Sequence, residues 1–142
     1  MIVSTRGRYA LRVLIDLAEH YNGEFTPMKE VADRQEISLK YLERIIPSLT
    51  KGGLIEGMHG KGGGYRLSRD PSDINVWEVL ELTEPDIYPV ACLDKNAKPC
   101  SRRGYCRTLP LWTEFYEKMK EFFKNKTVAD LSSGPAPDNY VI

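Results

Sequence analysis

Apolar residues at Tyr9, Ala10, Val13, Leu14, Leu17, Ala18 and Tyr21 recur every three or four positions, the period of a helix that buries one face. Ser4 or Thr5 can cap its start with a side-chain oxygen, and Asn22-Gly23 supplies a stop. Thr26-Pro27 is expected to act as N-cap and first residue of a short second helix, running through Met28, Val31 and Ala32 to about Arg34. After Gln35-Glu36-Ile37, Ser38 can cap a third helix whose Leu39, Leu42, Ile45, Ile46 and Leu49 face inward. It ends at Lys51-Gly52-Gly53, where glycine can take the left-handed conformation. Two short helices joined by a tight turn, the second strongly amphipathic, form a helix-turn-helix pattern. Glycine often sits in that turn, where this chain has Glu36, and Pro47 can bend the third helix because it lacks a backbone N–H.

The period then changes. Leu54 to Met58 and Tyr65 to Leu67 are short apolar segments separated by His59-Gly60-Lys61-Gly62-Gly63-Gly64, the pattern of a hairpin with a glycine-rich tip. Asp70-Pro71 closes it. A helix capped by Asn75 carries Val76, Val79 and Leu80 inward, with Trp77 nearby, and stops at Glu84-Pro85. Asp86 to Thr108 shows no sustained periodicity and reads as an irregular loop. From about Pro110 to Asn125 a last helix sets Leu111, Trp112, Phe115, Tyr116, Met119, Phe122 and Phe123 on one broad face, more than a small domain needs, which points to packing against a partner chain.

The predicted fold is therefore mainly α with a small β-hairpin wing: a winged helix-turn-helix over 1–84, a cysteine-containing loop over 85–108, a long C-terminal dimerisation helix over 109–131 and a flexible tail over 132–142. A length of 142 residues fits that plan without a second full domain. No apolar run approaches the roughly 20 residues of a membrane span, and Met1 to Arg8 has no signal-like apolar stretch, so the cytoplasm is expected and no membrane partner. The net charge is zero but unevenly spread: 11 Lys and Arg stand against 8 Asp and Glu up to Arg69, and 9 against 12 beyond it. A basic front half suits contact with phosphate.

Candidate chemistry follows from these placements. Arg6, Arg8 and Arg12 can face a phosphate backbone from the first helix. On the third helix Lys40 and Arg44 can reach phosphate or guanine, Glu43 can accept from the cytosine amino group, and Ser38 and Tyr41 can hold phosphate. An ordinary amphipathic helix with a solvated charged face shows the same pattern. The glycine tip lacks the last glycine of a dinucleotide fingerprint and the Lys-Ser/Thr of a P-loop. With His59, Lys61, Gly62 and Gly63 it can instead lay amides and positive charge along a DNA backbone or minor groove, or be a plain surface hairpin.

Cys92, Cys100 and Cys106 are the three cysteines, spaced C-x7-C-x5-C, an odd number that argues for free thiols, a metal site or redox chemistry over a disulfide framework. Zinc is one possible occupant. A thiol-dependent enzyme is the remote alternative, since the segment holds neither a histidine nor a C-x-x-C.

Ser4-Thr5-Arg6-Gly7-Arg8-Tyr9-Ala10, Ile37-Ser38-Leu39-Lys40-Tyr41-Leu42-Glu43 and Gly60-Lys61-Gly62-Gly63-Gly64-Tyr65-Arg66-Leu67, in that order, resemble the IscR-like family of winged-helix regulators, a likeness that reaches to about Leu131. The resemblance implies a DNA-binding transcription regulator, not an enzyme. It implies a homodimer on double-stranded, partly palindromic operator DNA, with the recognition helix in the major groove and the wing in the minor groove. Ser38, Tyr41, Glu43 and the wing from His59 to Gly63 match the family's contact positions; position 59 is often arginine there. Cys92, Cys100 and Cys106 resemble the family's iron–sulfur ligands, implying a 2Fe-2S or 4Fe-4S cluster that senses iron–sulfur, redox or nitrosative state. The first gap is longer than is common, and Leu109 stands where the best-known member has a histidine ligand, so a fourth ligand comes from elsewhere. A family member without a cluster, controlled by a partner protein or by thiol oxidation, is the alternative.

Overall fold

The computed structural model describes residues 3–132. The first helix, α1, spans Thr5–Glu19, and of its two candidate caps Ser4 is the one used, its hydroxyl accepting from Gly7 N–H at 3.2 Å. Ala10, Val13, Leu14 and Leu17 are buried along one face, whereas Tyr21 lies beyond the helix and is exposed. Helix α2 is Met28–Gln35 and α3 is Leu39–Lys51. Ser38 caps α3 as expected, accepting from Tyr41 N–H at 3.1 Å, and Gly53 takes the left-handed conformation just past its end. The helix runs unbroken through Pro47, whose ring sits on the exposed side, and Leu39 is exposed at its first turn instead of facing inward.

Thr26-Pro27 does not cap α2 in the expected way. Pro27 occupies the N-cap position, while Thr26 exchanges two backbone hydrogen bonds of 2.8 Å with Tyr65. Tyr65 belongs to the hairpin β1 (Ile55–Met58) and β2 (Gly64–Leu67), antiparallel with Ile55 opposite Leu67 and Met58 opposite Gly64. Thr26 thus adds a bridge to the hairpin's outer edge and ties the wing to the front of α2. Gly64, expected in the loop, begins β2. Its φ of 148° and the Thr26 carbonyl, which would lie 2.2 Å from a Cβ, leave no room for another residue.

Helix α4 (Val76–Thr83) is capped by Asn75, whose side chain accepts from Glu78 N–H at 2.9 Å. The segment that follows is irregular apart from one turn of 3-10 helix at Ala91–Leu93. Beyond it the expected helix over 109–131 is two helices, α5 (Leu109–Lys124) and α6 (Val128–Ser132). Thr127 and Asp130 cap α6 reciprocally, each side chain accepting from the other's backbone N–H at 2.9–3.1 Å. Val128 N–H donates to the Ile74 carbonyl at 2.9 Å, and its side chain is fully buried. Ser132 is the last described residue of α6; the rest of the expected tail lies outside the described residues.

Two apolar clusters hold these elements. The larger joins α1, α2 and α3 to Leu54, Ile74, Val79 and Val128. The smaller sets Val76, Trp77, Leu80 and Ile87 against Tyr116, Met119 and Phe123 of α5, with Tyr116 edge-on to Trp77 at 5.8 Å. The broad apolar face of α5 is therefore divided, one side covered by α4 and the other left exposed. Leu111, Phe115 and Phe122 are 57, 50 and 58 % exposed and lie away from the cluster.

Candidate nucleic-acid interface and cysteine pocket

The turn between α2 and α3 is fixed from below by a carboxylate that sits within the apolar stripe of α1. Asp16 is fully buried and accepts from Arg34 at 2.7 and 3.1 Å and from Gln35 Nε2 at 2.9 Å. This hydrogen bonding raises the Arg34 guanidinium further above its usual range. Arg12, expected to face phosphate, instead donates to the Gln35 side chain at 3.1 Å and to the Gln35 carbonyl. Glu36 follows with φ 54° and ψ 44°, the left-handed geometry that glycine would take without strain, and turns the chain into α3. Sequence reasoning missed this network; its one signal is a carboxylate at position 16, between Val13 and Leu17 of the buried face.

What the network presents is an exposed α3. Lys40, Glu43 and Arg44 project from it, and among the described residues none has an ion-pair or side-chain hydrogen-bond partner. Arg34, Arg66 and Arg69, by contrast, are each paired to a carboxylate. Tyr41 is half-buried edge-on to Tyr9, with ring centroids 5.3 Å apart. Ser38 spends one lone pair on its cap and keeps its O–H. Arg8 is exposed with one bond to Thr5 Oγ1 at 3.0 Å, and Arg6 reaches across to Ser48 Oγ of α3.

The wing stands beside that helix. A groove of about 420 Å³ is lined by Thr50 of α3 and by Met58, His59, Gly60 and Gly63 of the hairpin. Gly63 N–H donates to the Gly60 carbonyl at 2.9 Å to close the tip, and Gly60 and Gly62 have positive φ with open space around them. His59 and Lys61 are exposed at the tip, unpaired among the described residues. Lys40 and Arg44 on α3 and Lys61 on the wing tip are thus exposed cations without a carboxylate partner among the described residues. A polyanion is the ligand such a surface suits.

The three cysteines converge elsewhere. Cys92, Cys100 and Cys106 line one small pocket of about 30 Å³ together with Arg103 and Leu109. All three are free thiols. Cys106 is pulled below the usual thiol range, first by its hydrogen bond with Thr108 and then by the backbone N–H groups of Thr108 and Leu109 and the charge of Arg102. Among the described residues no group of three or more His, Cys, Asp or Glu side chains forms a ready-made ion site, and neither histidine lines the pocket. His20 Nδ1 lies 2.9 Å from the Asp16 carbonyl. The donor set is nonetheless soft and convergent, with the aliphatic side chain of Leu109 also lining the pocket; three thiolates fit an iron–sulfur group in kind.

Residues 3–134 match the Rrf2 family, described as iron-dependent transcriptional regulator. The chain belongs to the Rrf2 family. Among curated relatives, the HTH-type transcriptional regulator IscR of Yersinia pseudotuberculosis is 34 % identical over 131 residues, which is 92 % of this chain and 79 % of the relative. The structure of CymR, the global cysteine regulator of B. subtilis, superposes with a TM-score of 0.76 at 30 % identity, over 96 % of this chain and 99 % of that one. The T. potens IscR structure gives 0.75 at 28 % identity, over 100 % and 93 %. This Rrf2 chain is thus a DNA-binding transcription regulator with a winged-helix fold, as the sequence pattern led one to expect. Among the described residues no helix is long and apolar enough to cross a membrane.

Proposed function

We propose that this Rrf2 regulator binds double-stranded operator DNA in the cytoplasm as a homodimer, with α3 in the major groove and the wing tip in the minor groove. The observation that carries the reading is the set of exposed charged side chains left without a partner among the described residues, Lys40, Glu43 and Arg44 on α3 and Lys61 on the wing tip, with His59 exposed beside it. Lys40, Arg44, Lys61 and Arg8 meet phosphate, Ser38 and Tyr41 add neutral donors, Glu43 accepts from a base edge, and Gly62 and Gly63 let backbone amides approach the strand. Exposed Leu111, Phe115 and Phe122 on α5 supply the apolar face for the second chain.

Lys40→Ala and Lys61→Ala are each expected to weaken binding across sequences and to reduce the slope of log affinity against log salt by about one. Glu43→Ala is expected to change which operator is preferred. Gel-shift titrations on operators selected from a random pool, with the mass of the complex reporting two chains per site, check all three. If none of the three variants differs from wild type, α3 and the wing do not lie on DNA.

We further propose that Cys92, Cys100 and Cys106 hold an iron–sulfur cluster, with the fourth ligand drawn from outside the three. The support is their convergence on one pocket and the lowered Cys106 thiol, which favours the ligating thiolate. When bound, the cluster supplies a redox- and iron-dependent link among positions 92, 100 and 106, and so an ordering of the segment between α4 and α5. Anaerobic reconstitution is expected to give a visible chromophore, stoichiometric iron and an altered operator affinity. Absence of both colour and any affinity change defeats the cluster reading. Leu109 favours one second reading, thiol oxidation at Cys106 without a cluster; a triple Cys→Ala variant that binds operator like wild type with and without oxidant removes it.

A further inference from the structure

The last turn of α4 is wedged between the start of α1 and the end of α3, and two glycines make room for it. At Gly52, just past α3, a Cβ would lie 2.3 Å from Leu82 Cδ1; at Gly7, in the first turn of α1, it would lie 2.2 Å from Glu84 Oε1. Into that second gap Glu84 places one carboxylate oxygen that accepts two hydrogen bonds from Ser4, from the backbone N–H at 2.9 Å and from Oγ at 2.8 Å. A carboxylate there also faces the positive end of the α1 dipole. The turn it fixes carries Arg6, whose guanidinium donates to Ser48 Oγ on α3, and the exposed Arg8.

The geometry points to Glu84 as a positioning residue for DNA binding: by anchoring Ser4 it holds the first turn of α1 so that Arg6 and Arg8 are aimed at the phosphate backbone flanking the recognition helix. The inference rests on the DNA-binding reading above and is independent of the cluster. Glu84 touches no DNA itself. An arginine on a frayed turn must be ordered when DNA binds, and that ordering cost is removed when the turn is already fixed. Phosphate contacts carry no sequence information, so Glu84 sets affinity and leaves sequence preference alone.

Three variants read this. Glu84→Ala is expected to lower affinity for selected operator and for random DNA alike, each about tenfold, with a shallower salt slope and an unchanged ranking of operators. Glu84→Gln keeps an acceptor at the same place and is expected to restore most of that loss. Gly7→Ala displaces the carboxylate, the mobile end of a side chain, and brings a methyl to 3.2 Å from the buried Thr83 hydroxyl, a crowding relieved by a shift of a few tenths of an ångström, while replacing glycine by a better helix former. It is therefore expected to weaken DNA binding without lowering the melting temperature, a combination that a role in folding alone does not produce.

A double-mutant cycle completes the test. Combining Glu84→Ala with Arg6→Ala and Arg8→Ala is expected to cost no more than the two arginine changes by themselves, because Glu84 acts only through them. Full additivity overturns the proposal, as does a Glu84→Ala loss confined to one operator sequence or a Gly7→Ala protein with wild-type affinity. If Glu84→Ala is inert while Lys40→Ala and Lys61→Ala lose affinity, the positioning role alone fails. If all of them are inert, the placement on DNA fails with it.

Discussion

Gly64→Ala is expected to detach the wing and cost this Rrf2 regulator on the order of a hundredfold in DNA affinity, roughly 3 kcal/mol. The residue combines a φ of 148° with a backbone neighbour that cannot yield, since a Cβ would stand 2.2 Å from the Thr26 carbonyl oxygen and 2.6 Å from Pro27 N. Strain of this kind amounts to about 1–3 kcal/mol, and relieving it means parting Thr26 from Tyr65 and losing their two hydrogen bonds. The wing would then pivot on β1 alone. Gly62→Ala is the natural comparison: its φ is also positive, but nothing lies near the added methyl, so an effect of about 1 kcal/mol or less is expected. Hydrogen exchange at the Thr26 and Tyr65 amides, beside gel-shift titration, distinguishes the two. Retention of amide protection and wild-type affinity in Gly64→Ala would show that the bridge does not hold the wing.

The largest loss of stability is expected from Asp16→Ala. It removes the acceptor of Arg34 and Gln35 from a fully buried position, leaving the Gln35 Nε2 donor unmatched and Arg34 with only its 3.7 Å pair to the exposed Glu30. Breaking a buried ion pair from one side costs about 3–5 kcal/mol. Because Arg34 keeps 32 % of its side chain in contact with solvent and can turn outward, the lower end applies, about 3 kcal/mol. A fall in melting temperature on the order of 10 °C follows for a protein of this size. Thermal and urea unfolding check it; a change below about 1 kcal/mol would mean that the pair contributes little to the turn. Asp16→Asn, which keeps an acceptor for one donor, is expected to lie between alanine and wild type.

The features legible in the sequence were those decided within a few residues. Ser4, Ser38 and Asn75 cap their helices because a short polar side chain reaches a backbone N–H three positions on, whatever the rest of the chain does. The hairpin was equally local, since Gly60 and Gly62 permit the positive φ that its tip requires. Thr26 was misread for the opposite reason. Thr-Pro is a good helix start, but the partner that claims its backbone, Tyr65, is distant in sequence and leaves no local trace. The α5 aromatics likewise satisfied one broad face on paper, yet Tyr116, Met119 and Phe123 pack on α4 while Leu111, Phe115 and Phe122 face outward, a division that depends on where Trp77 lies. Asp16 was hidden because a single carboxylate in an apolar stripe looks like an interruption until Arg34 and Gln35 are brought to it. The spacing of the cysteines named the candidates, but only the fold shows that they share a pocket with Leu109.

The seating of α6 alters how the molecule can be divided. Val128 fills the same core as Leu14 and Val79, and Val76 N–H donates to the Lys126 carbonyl at 2.8 Å, so the chain leaves the larger cluster after Glu84 and re-enters it at Lys126. The cysteine segment and α5 are consequently an insertion tethered at both ends, not an appendage. A loop closed in this way passes any gain or loss of its own freedom to the residues that close it, here the two ends of α4. A truncation after Glu84 would not release a DNA-reading module. It would remove one wall of that module's interior and leave Ile74 facing water, and a short linker from Glu84 to Lys126 in place of a stop would still bare Trp77 and Leu80, which α5 covers.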